Sequence, residues 1–558
     1  MPERKANLLI PAVGATVLVA GTVAAYIYFK GPSGDSSSAL GSAKLVPSTA
    51  LMATYITTEP EAWAKLAEFG TPETQKLLAK GLEDFKQDFL SEGNISYEQD
   101  LKPWVGGVMV AVLPPNSTQL AQSNQPSAAT KGQTKSHILM VVGIKDKLKS
   151  LNFAKKLKAQ KDVKVEEFDY KGETITAVTE NGRLTYSAVL NNNHVVLSSE
   201  KPDVETAIET FKGKPSFASQ EGAKTILTAN ADMKNILAQV YIPDYAEMMQ
   251  QLVAASPQAR QLPPQSLKQL QQVKSMVARV GVDDQGVRMK AIANLNPQLN
   301  TFEYQTTPAK IVSQLPLDTF ALMTGNGISR SWSTIVEQSE DDPAFNQILQ
   351  QMRGQLKFVN IDLDKDVFGW MDQEFAFAAM PSNQGILANL GVGGALVLGT
   401  SDRQTATATF SKLDNLAKTQ RINVTTINID GKDITEWQMP GQGALLSHGW
   451  LNQDTVFLAV GGSVADAIAT NDTPKLDSSD TFKAVTGSLQ KPNAGYFYID
   501  AEKTAFLVNR FMTQGQPLPS EANTVLSAIH GFGVTLTSPN KSIAQLEMLL
   551  ALKPKTAK

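Results

Sequence analysis

The chain has 558 residues, of which 42% are apolar and 19% are charged, a composition that excludes disorder for most of its length and allows several hydrophobic cores. Its formal net charge of −3 gives no general electrostatic reason to hold a polyphosphate backbone, so we expect no nucleic-acid partner. The absence of cysteine excludes disulfides, thiolate metal sites and cysteine nucleophiles.

The first feature along the chain is an uncharged apolar run, LLIPAVGATVLVAGTVAAYIYF, at residues 8–29. As a helix, its 22 positions would span roughly 33 Å, which matches the hydrocarbon core of a bilayer. We therefore predict a single-pass transmembrane signal anchor, with residues 1–7 cytoplasmic and the rest of the chain outside the cytoplasm. A cleaved signal peptide is the alternative. The Gly/Ser-rich residues 30–44 are typical of a flexible tether.

A tandem duplication is the strongest pattern in the remaining sequence. NISYEQDL at 94–101, followed by Trp104, aligns without gaps with NIDLDKDV at 360–367, followed by Trp370. An apolar strand comes next in both copies, and further matches follow in the same order. Because self-similarity in a fixed order indicates repeats, we predict two homologous repeats, at residues 45–298 and 308–553.

Inside each copy the sequence predicts strands and helices. Short runs that alternate apolar and polar residues, such as HILMVVGI, ETITAVTE and RLTYSAVL, are separated by brief turns, and residues 75–90 and 333–356 have apolar residues at helical spacing. Strands joined by short turns form antiparallel sheet. The predicted fold class is α+β: an N-terminal transmembrane helix followed by two tandem repeats, each a twisted, mainly antiparallel sheet packed with helices.

Three alternating aspartates, Asp362, Asp364 and Asp366, have the spacing of the first half of a calcium loop. The template then fails, because Val367 stands where the loop needs glycine and Gln373 where it needs glutamate. We favour a polar turn that caps the next element, with a weak calcium site as the alternative.

Sequence motifs for catalysis are absent. The four histidines occur singly, and the sequence contains no phosphate-binding loop, dinucleotide fingerprint or Gly-x-Ser-x-Gly elbow. We therefore predict no catalytic residues, no cofactor and no enzymatic activity.

A Gln- and Met-rich stretch at residues 241–276, with its counterpart at 506–528, is the last unusual feature. Two helices joined by a proline turn could form an apolar cover that lines a cavity or docks a protein, although a helix hairpin that closes the core is the favoured interpretation. The candidate surface residues are Met248, Met249, Leu252, Val253, Phe511 and Met512.

Three features carry a family resemblance: the apolar run with its tether, the opening LVPSTA at residues 45–50, and DLKPW at 100–104, echoed as DVFGW at 366–370. Together they resemble a cyanobacterial membrane-anchored family known only as a domain of unknown function, DUF3352. The resemblance covers nearly the whole chain and offers no active site to carry over. It implies a plasma or thylakoid membrane location, with the soluble part in the periplasm or lumen.

From these patterns we predict a non-catalytic, membrane-anchored extracytoplasmic binding or assembly protein that acts on a membrane protein complex. The alternative is a carrier or chaperone for a lipid or pigment held between the sheet and the Met-rich helices. A large apolar cavity would favour the carrier, whereas a filled core with an exposed apolar patch would favour the docking protein.

Overall fold

The computed structural model describes residues 38–77, 97–114, 137–158, 163–180, 182–223, 233–254, 264–300, 304–340, 342–384, 387–439, 443–511 and 518–555. These residues form two compact units. Unit 1 contains the described residues up to 68, together with 75–283 and 291–294. Unit 2 contains residues 69–74, 284–290 and the described residues from 295 onward.

Unit 1 is an antiparallel sheet with helices. Its strands are β1 (Met52–Ile56), β2 (Val105–Leu113), β3 (His137–Ile144), β4 (Val163–Tyr170), β5 (Glu173–Glu180), β6 (Arg183–Leu190), β7 (His194–Ser198), β8 (Ile236–Ile242) and β9 (Val273–Asp283). Its helices are α1 (Ala39–Ala43), α2 (Pro60–Ala64), α3 (Lys147–Lys158), α4 (Lys201–Phe211), α5 (Tyr245–Ala254) and α6 (Pro264–Leu270), with a π-helical turn at Tyr97–Leu101. The strands lie in the order β9–β8–β1–β2–β3–β7–β6–β5–β4, each pair antiparallel.

The next strand, β10 (Gly286–Leu295), starts with residues of unit 2. The other strands of unit 2 are β11 (Ala321–Asn326), β12 (Glu374–Pro381), β13 (Val392–Gly399), β14 (Asn423–Ile429), β15 (Lys432–Met439), β16 (Gly443–Trp450), β17 (Thr455–Val460), β18 (Tyr496–Asp500), β19 (Ile529–Asn540) and β20 (Ile543–Leu552). Its helices are α7 (Ile328–Ser339), α8 (Pro343–Lys357), α9 (Arg403–Thr419), α10 (Gly462–Ala469), α11 (Asp480–Thr486), α12 (Ala501–Phe511) and α13 (Ser520–Ser527), with a π-helical turn at Leu363–Gly369. The antiparallel order is β20–β19–β18–β11–β12–β13–β17–β16–β15–β14, so from β19 onward it repeats the order of unit 1.

Matching hairpin turns set the register of the outer strands in each unit. Lys171 and Gly172 join β4 to β5 with φ of 53° and 77°, and Asp430 and Gly431 join β14 to β15 with φ of 49° and 80°. Two successive positive φ values define the type I′ turn, whose twist matches that of antiparallel strands. Glycine suits the second position because it adopts this conformation without steric cost.

Alternation along the strands places every second residue in a core. In β2, Met109, Ala111 and Leu113 are buried in the main cluster of unit 1, and in β12, Ala376 and Ala378 are buried in that of unit 2. Because successive side chains point to opposite faces, the residues between them lie on the other face of the sheet.

The predicted fold class is wrong as stated, because it includes a transmembrane helix. The described architecture is antiparallel sheet packed with helices, and none of its helices is long and apolar enough to cross a membrane. The longest described helix, α9, has 17 residues and carries Arg403, Lys412 and Asp414. The predicted span itself, residues 8–29, lies outside the described residues.

Two other expectations differ from the structure. The described end of the predicted tether contains α1, whose Ala39 and Ala43 are buried in the core of unit 1, because small side chains allow close packing. The helix predicted at residues 333–356 is two helices, since Asp342 caps α8 by accepting hydrogen bonds from two backbone N–H groups and Pro343 occupies its first turn. The predicted repeat boundaries stay a prediction.

Candidate functional site

The repeated Asp-x-x-x-Trp segments form the same arrangement in both units. The Trp104 Nε1–H donates to the carbonyl of Asp100 at 2.7 Å, and the Trp370 Nε1–H donates to that of Asp366 at 2.8 Å. Both indoles are buried. Their polar atoms are therefore satisfied locally, and the two tryptophans are packing residues.

A lysine from the next helix holds each of these aspartates. Lys156 of α3 donates to the Asp100 carboxylate at 2.7 Å, and Lys412 of α9 donates to that of Asp366 at 2.6 Å. The pKa of Asp366 is lowered, first by the backbone N–H of Asp362 and then by Lys412. The π-helical turn is thus fastened to a helix by a charged pair in each unit.

The three aspartates of the calcium hypothesis use separate donors. Asp362 accepts the backbone N–H groups of Asp364 and Lys365, both at 3.0 Å, as a cap of the turn. Asp364 accepts two hydrogen bonds from Arg353, at 2.8 and 2.9 Å, and one from the Trp332 Nε1–H at 2.8 Å.

Burial raises the pKa of Asp364, but the hydrogen bonds from Arg353 and Trp332 outweigh it and leave that pKa below its ordinary value. In the described part of the chain, no group of three or more His, Cys, Asp or Glu side chains could hold a metal ion. The geometry gives calcium binding no support and matches the capping turn.

An open cleft of about 570 Å³ lies beside this turn in unit 2. Its lining includes Ser329, Arg330, Trp332, Glu337, Asp364 and Asp372. The Trp332 ring stacks on Phe368 with centroids 4.0 Å apart, and Asp372 accepts hydrogen bonds from the backbone and hydroxyl of Ser401. A lining with charged and polar groups of both signs does not form an apolar ligand cavity.

One cluster has the residue types of a catalytic triad but not its connectivity, and a second cluster joins an aspartate to a histidine and a tryptophan. Asp203 accepts a hydrogen bond from the Ser198 hydroxyl at 2.7 Å and lies 3.3 Å from the His137 Nδ1. Burial raises the pKa of Asp203, although the hydrogen bonds with Ser198 and His137 act to lower it. In unit 2, Asp414 lies 2.8 Å from the His448 Nε2 and also accepts the Trp437 Nε1–H. A nucleophilic serine must be hydrogen-bonded to the histidine. In the first cluster the carboxylate lies between the serine and the histidine, and the second cluster contains no serine, so neither has the serine–histidine hydrogen bond of a triad.

The Met-rich candidate surface is largely a packing element. Met248 of α5 is buried beside Leu51 and Ile242, Met249 packs against the same cluster, and Leu252 is exposed. Val253 is partly buried. The side chain of Phe511 and the whole of Met512 lie outside the described part of the chain.

Three exposed apolar side chains of unit 2 lie side by side on one sheet face. Met323 on β11 is the register partner of Phe377 on β12 and of Phe497 on β18. Their exposed fractions are 45%, 42% and 40%. We call these three residues the apolar row.

The same register positions in unit 1 carry smaller residues. Thr54 on β1 is the partner of Val110 on β2 and of Val240 on β8. All three are partly buried, and the two valines pack against core clusters. The apolar row is therefore a property of unit 2 and not of the fold in general.

A second exposed apolar set lies on α8 and just beyond it. Phe345, Ile348 and Met352 are exposed at helical spacing, whereas Leu349 is buried. Phe358, directly after the helix, is 91% exposed. The sequence predicted a helix here from its apolar spacing, but that spacing does not reveal which apolar residues face outward. Sequence reasoning therefore missed both surfaces.

Comparison with known proteins gives a family but no activity. A family model described as "Protein of unknown function (DUF3352)" matches residues 12–552. No curated protein matches the chain.

Three structures of one protein, TP0453, share limited likeness with the chain. Crystal form III is 8% identical with a TM-score of 0.27, covering 47% of this chain and 81% of TP0453. Form IV is 9% identical with a TM-score of 0.26, covering 45% and 79%, and form I is 10% identical with a TM-score of 0.25, covering 47% and 80%. Likenesses at this level carry no argument about function.

Proposed function

Since the chain belongs to the DUF3352 family of proteins of unknown function, we propose its role from its own surfaces: it is a non-catalytic binding protein that docks a partner protein on the apolar row of unit 2. The observation that carries the proposal is the exposure of Met323, Phe377 and Phe497 side by side on three adjacent strands.

Aromatic residues and methionine are the types enriched at the centres of protein interfaces. Their burial on binding removes a large apolar area from water, and each Å² buried stabilises the complex by roughly 25 cal/mol. The comparison between units strengthens the proposal, because Thr54, Val110 and Val240 show that the same sheet position accepts smaller side chains. Large exposed residues in unit 2 are not required by the fold.

We further propose a membrane protein complex as the partner, in line with the expectation from the sequence. The side of the membrane at which the protein acts stays a prediction.

The carrier alternative receives less support from the described cavity. A lipid or pigment site is mostly apolar and encloses much of its ligand, whereas the cleft beside Trp332 is open and contains Arg330, Glu337 and Asp364. Met248, which would face such a ligand in the carrier hypothesis, is already buried in the core.

The test exchanges the apolar row for the residues of unit 1, in the variant M323T/F377V/F497V. The full-length protein and this variant are used to capture partners from native membranes, and each captured protein is quantified. We expect the wild type to capture one stoichiometric partner. The amount of that partner captured by the variant should be at least about tenfold lower.

The matched control is F168T/L184T, which alters comparably exposed apolar residues on strands β4 and β6 of unit 1. It should capture the partner as the wild type does. Circular dichroism checks that the wild type and M323T/F377V/F497V are both folded. If the two folded proteins capture equal amounts of the partner, the docking role of the apolar row is refuted.

A further inference from the structure

Positive charge is concentrated in one part of unit 1. Residues 145–164 contain eight lysines, two aspartates and no arginine, a net charge of +6 in a chain whose total is −3. The rest of the chain therefore carries −9. The helix α3 at its centre, KLKSLNFAKKLK, contains five of these lysines and no acidic residue.

Packing of α3 fixes which side faces outward. Ser150, Phe153 and Ala154 are buried, and the Phe153 ring lies 5.5 Å from that of Trp104. Their spacing of three and four residues marks one face of the helix. The opposite face presents exposed residues, which are Leu148, Lys149, Asn152, Lys155 and Lys156, together with Lys145 two residues before the helix. We call this the lysine face.

Few carboxylates neutralise the lysine face. Lys156 is paired with Asp100 at 2.7 Å, and Lys149 lies 3.6 Å from Asp146. Lys145 and Lys155 form no ion pair with the described residues. The lysines together create a region of positive potential. An anionic surface that approaches this face is attracted by several lysines at once and also relieves the repulsion between them.

We propose that the lysine face binds the anionic headgroups of a lipid bilayer, with Leu148 entering the interface. Leu148 is 61% exposed among the lysines, so one apolar side chain is free to enter the interface beside the charges. Each lysine near such a surface contributes roughly fivefold to the partition coefficient. The contact is peripheral, since the apolar side of α3 is already buried in the protein.

The composition of the face separates a bilayer from a nucleic acid. Nucleic-acid surfaces combine cations with aromatic stacking platforms and with arginines that grip phosphates in two places. The lysine face contains neither an aromatic residue nor an arginine. Lysines act as point charges on flexible stems and suit a diffuse layer of headgroups.

The test measures co-sedimentation of the full-length protein with vesicles made of phosphatidylglycerol and phosphatidylcholine in equal amounts, and with vesicles of phosphatidylcholine alone. We expect tighter binding to the anionic vesicles than to the neutral ones, and a difference between the two that shrinks steeply as salt is raised. The variant K145Q/K149Q/K155Q should bind the anionic vesicles at least about tenfold more weakly. It leaves the Lys156–Asp100 pair in place.

The matched control is K365Q/K418Q/K555Q, which removes the same charge from exposed lysines of unit 2. It should bind within about twofold of the wild type, because total charge changes equally while the lysine face is intact. L148N should bind several-fold more weakly than the wild type.

Equal binding by the wild type and K145Q/K149Q/K155Q would overturn the proposal, as would binding to heparin or RNA without binding to anionic vesicles. Since these variants leave the apolar row unchanged, capture of a partner protein remains a separate readout. Failure of the lipid contact is therefore distinguishable from failure of the docking function.

Discussion

Replacement of Glu547 by glutamine tests the buried ion pair of unit 2. Glu547 on β20 accepts from the Arg288 guanidinium of β10 and from the backbone N–H of Gln490, both at 2.7 Å. The Arg288 and Glu547 side chains are only 7% and 6% exposed. The Ser488 hydroxyl accepts a further hydrogen bond from Arg288, so the guanidinium is held from two sides.

Glutamine keeps the shape of the side chain but removes its charge, which breaks the ion pair with the buried Arg288 cation. Removal of one member of a buried pair costs about 3–5 kcal/mol. For a unit of this size, that loss corresponds to a fall in Tm of roughly 6–20 °C. Calorimetry and urea unfolding of the full-length protein measure it.

Two comparisons decide whether the reasoning holds. E502Q removes an exposed carboxylate 3.3 Å from Lys553 in the same unit and should cost less than about 1 kcal/mol. The double variant R288M/E547M should recover much of the loss, because it removes both buried charges together. A cost for E547Q no greater than that for E502Q would refute the account.

Three further predictions concern other parts of the chain. Hydrogen bonds from Lys171 and then Lys214 lower the pKa of Glu209 to about 2, so its contribution to stability is complete above its unfolded pKa of 4.5 and is lost as pH falls toward 2. The Tm difference between wild type and E209Q should therefore be larger at pH 7 than at pH 3, and an equal difference would contradict the assignment. Calcium should leave the Tm unchanged, because Arg353 donates hydrogen bonds to both carboxylate oxygens of Asp364. A saturable rise in Tm with calcium concentration that D364N abolishes would contradict this expectation. G172A should cost about 1 kcal/mol by urea unfolding, because a Cβ there meets no atom within 4 Å and only the positive φ of 77° is unfavourable.

Local signals in the sequence predict much of the secondary structure. The alternating runs HILMVVGI, ETITAVTE and RLTYSAVL are the strands β3, β5 and β6, as predicted, and brief turns join β4 to β5 and β14 to β15. The split between α7 and α8 was also readable, since Asp342-Pro343 is a helix start. These features depend on a few neighbouring residues.

Surfaces were not predictable in the same way, because exposure depends on which elements pack together. Periodicity identifies the apolar residues of β11 and α8 but does not show that Met323 and Ile348 face outward while Leu349 faces inward. The net charge of −3 likewise hides the lysine face, since an average over the chain cancels a local +6. The apolar run at residues 8–29 led to a fold class that the described helices do not support.

The most direct test of the docking function places a photo-cross-linking amino acid at position 377 of the full-length protein in its native membranes. Phe377 lies at the apolar row, and the same amino acid at position 168, a comparably exposed phenylalanine on β4, provides the control. We predict one dominant protein adduct from position 377 that is absent from position 168. The same adducts from both positions, or no protein adduct from position 377, would contradict the proposed function.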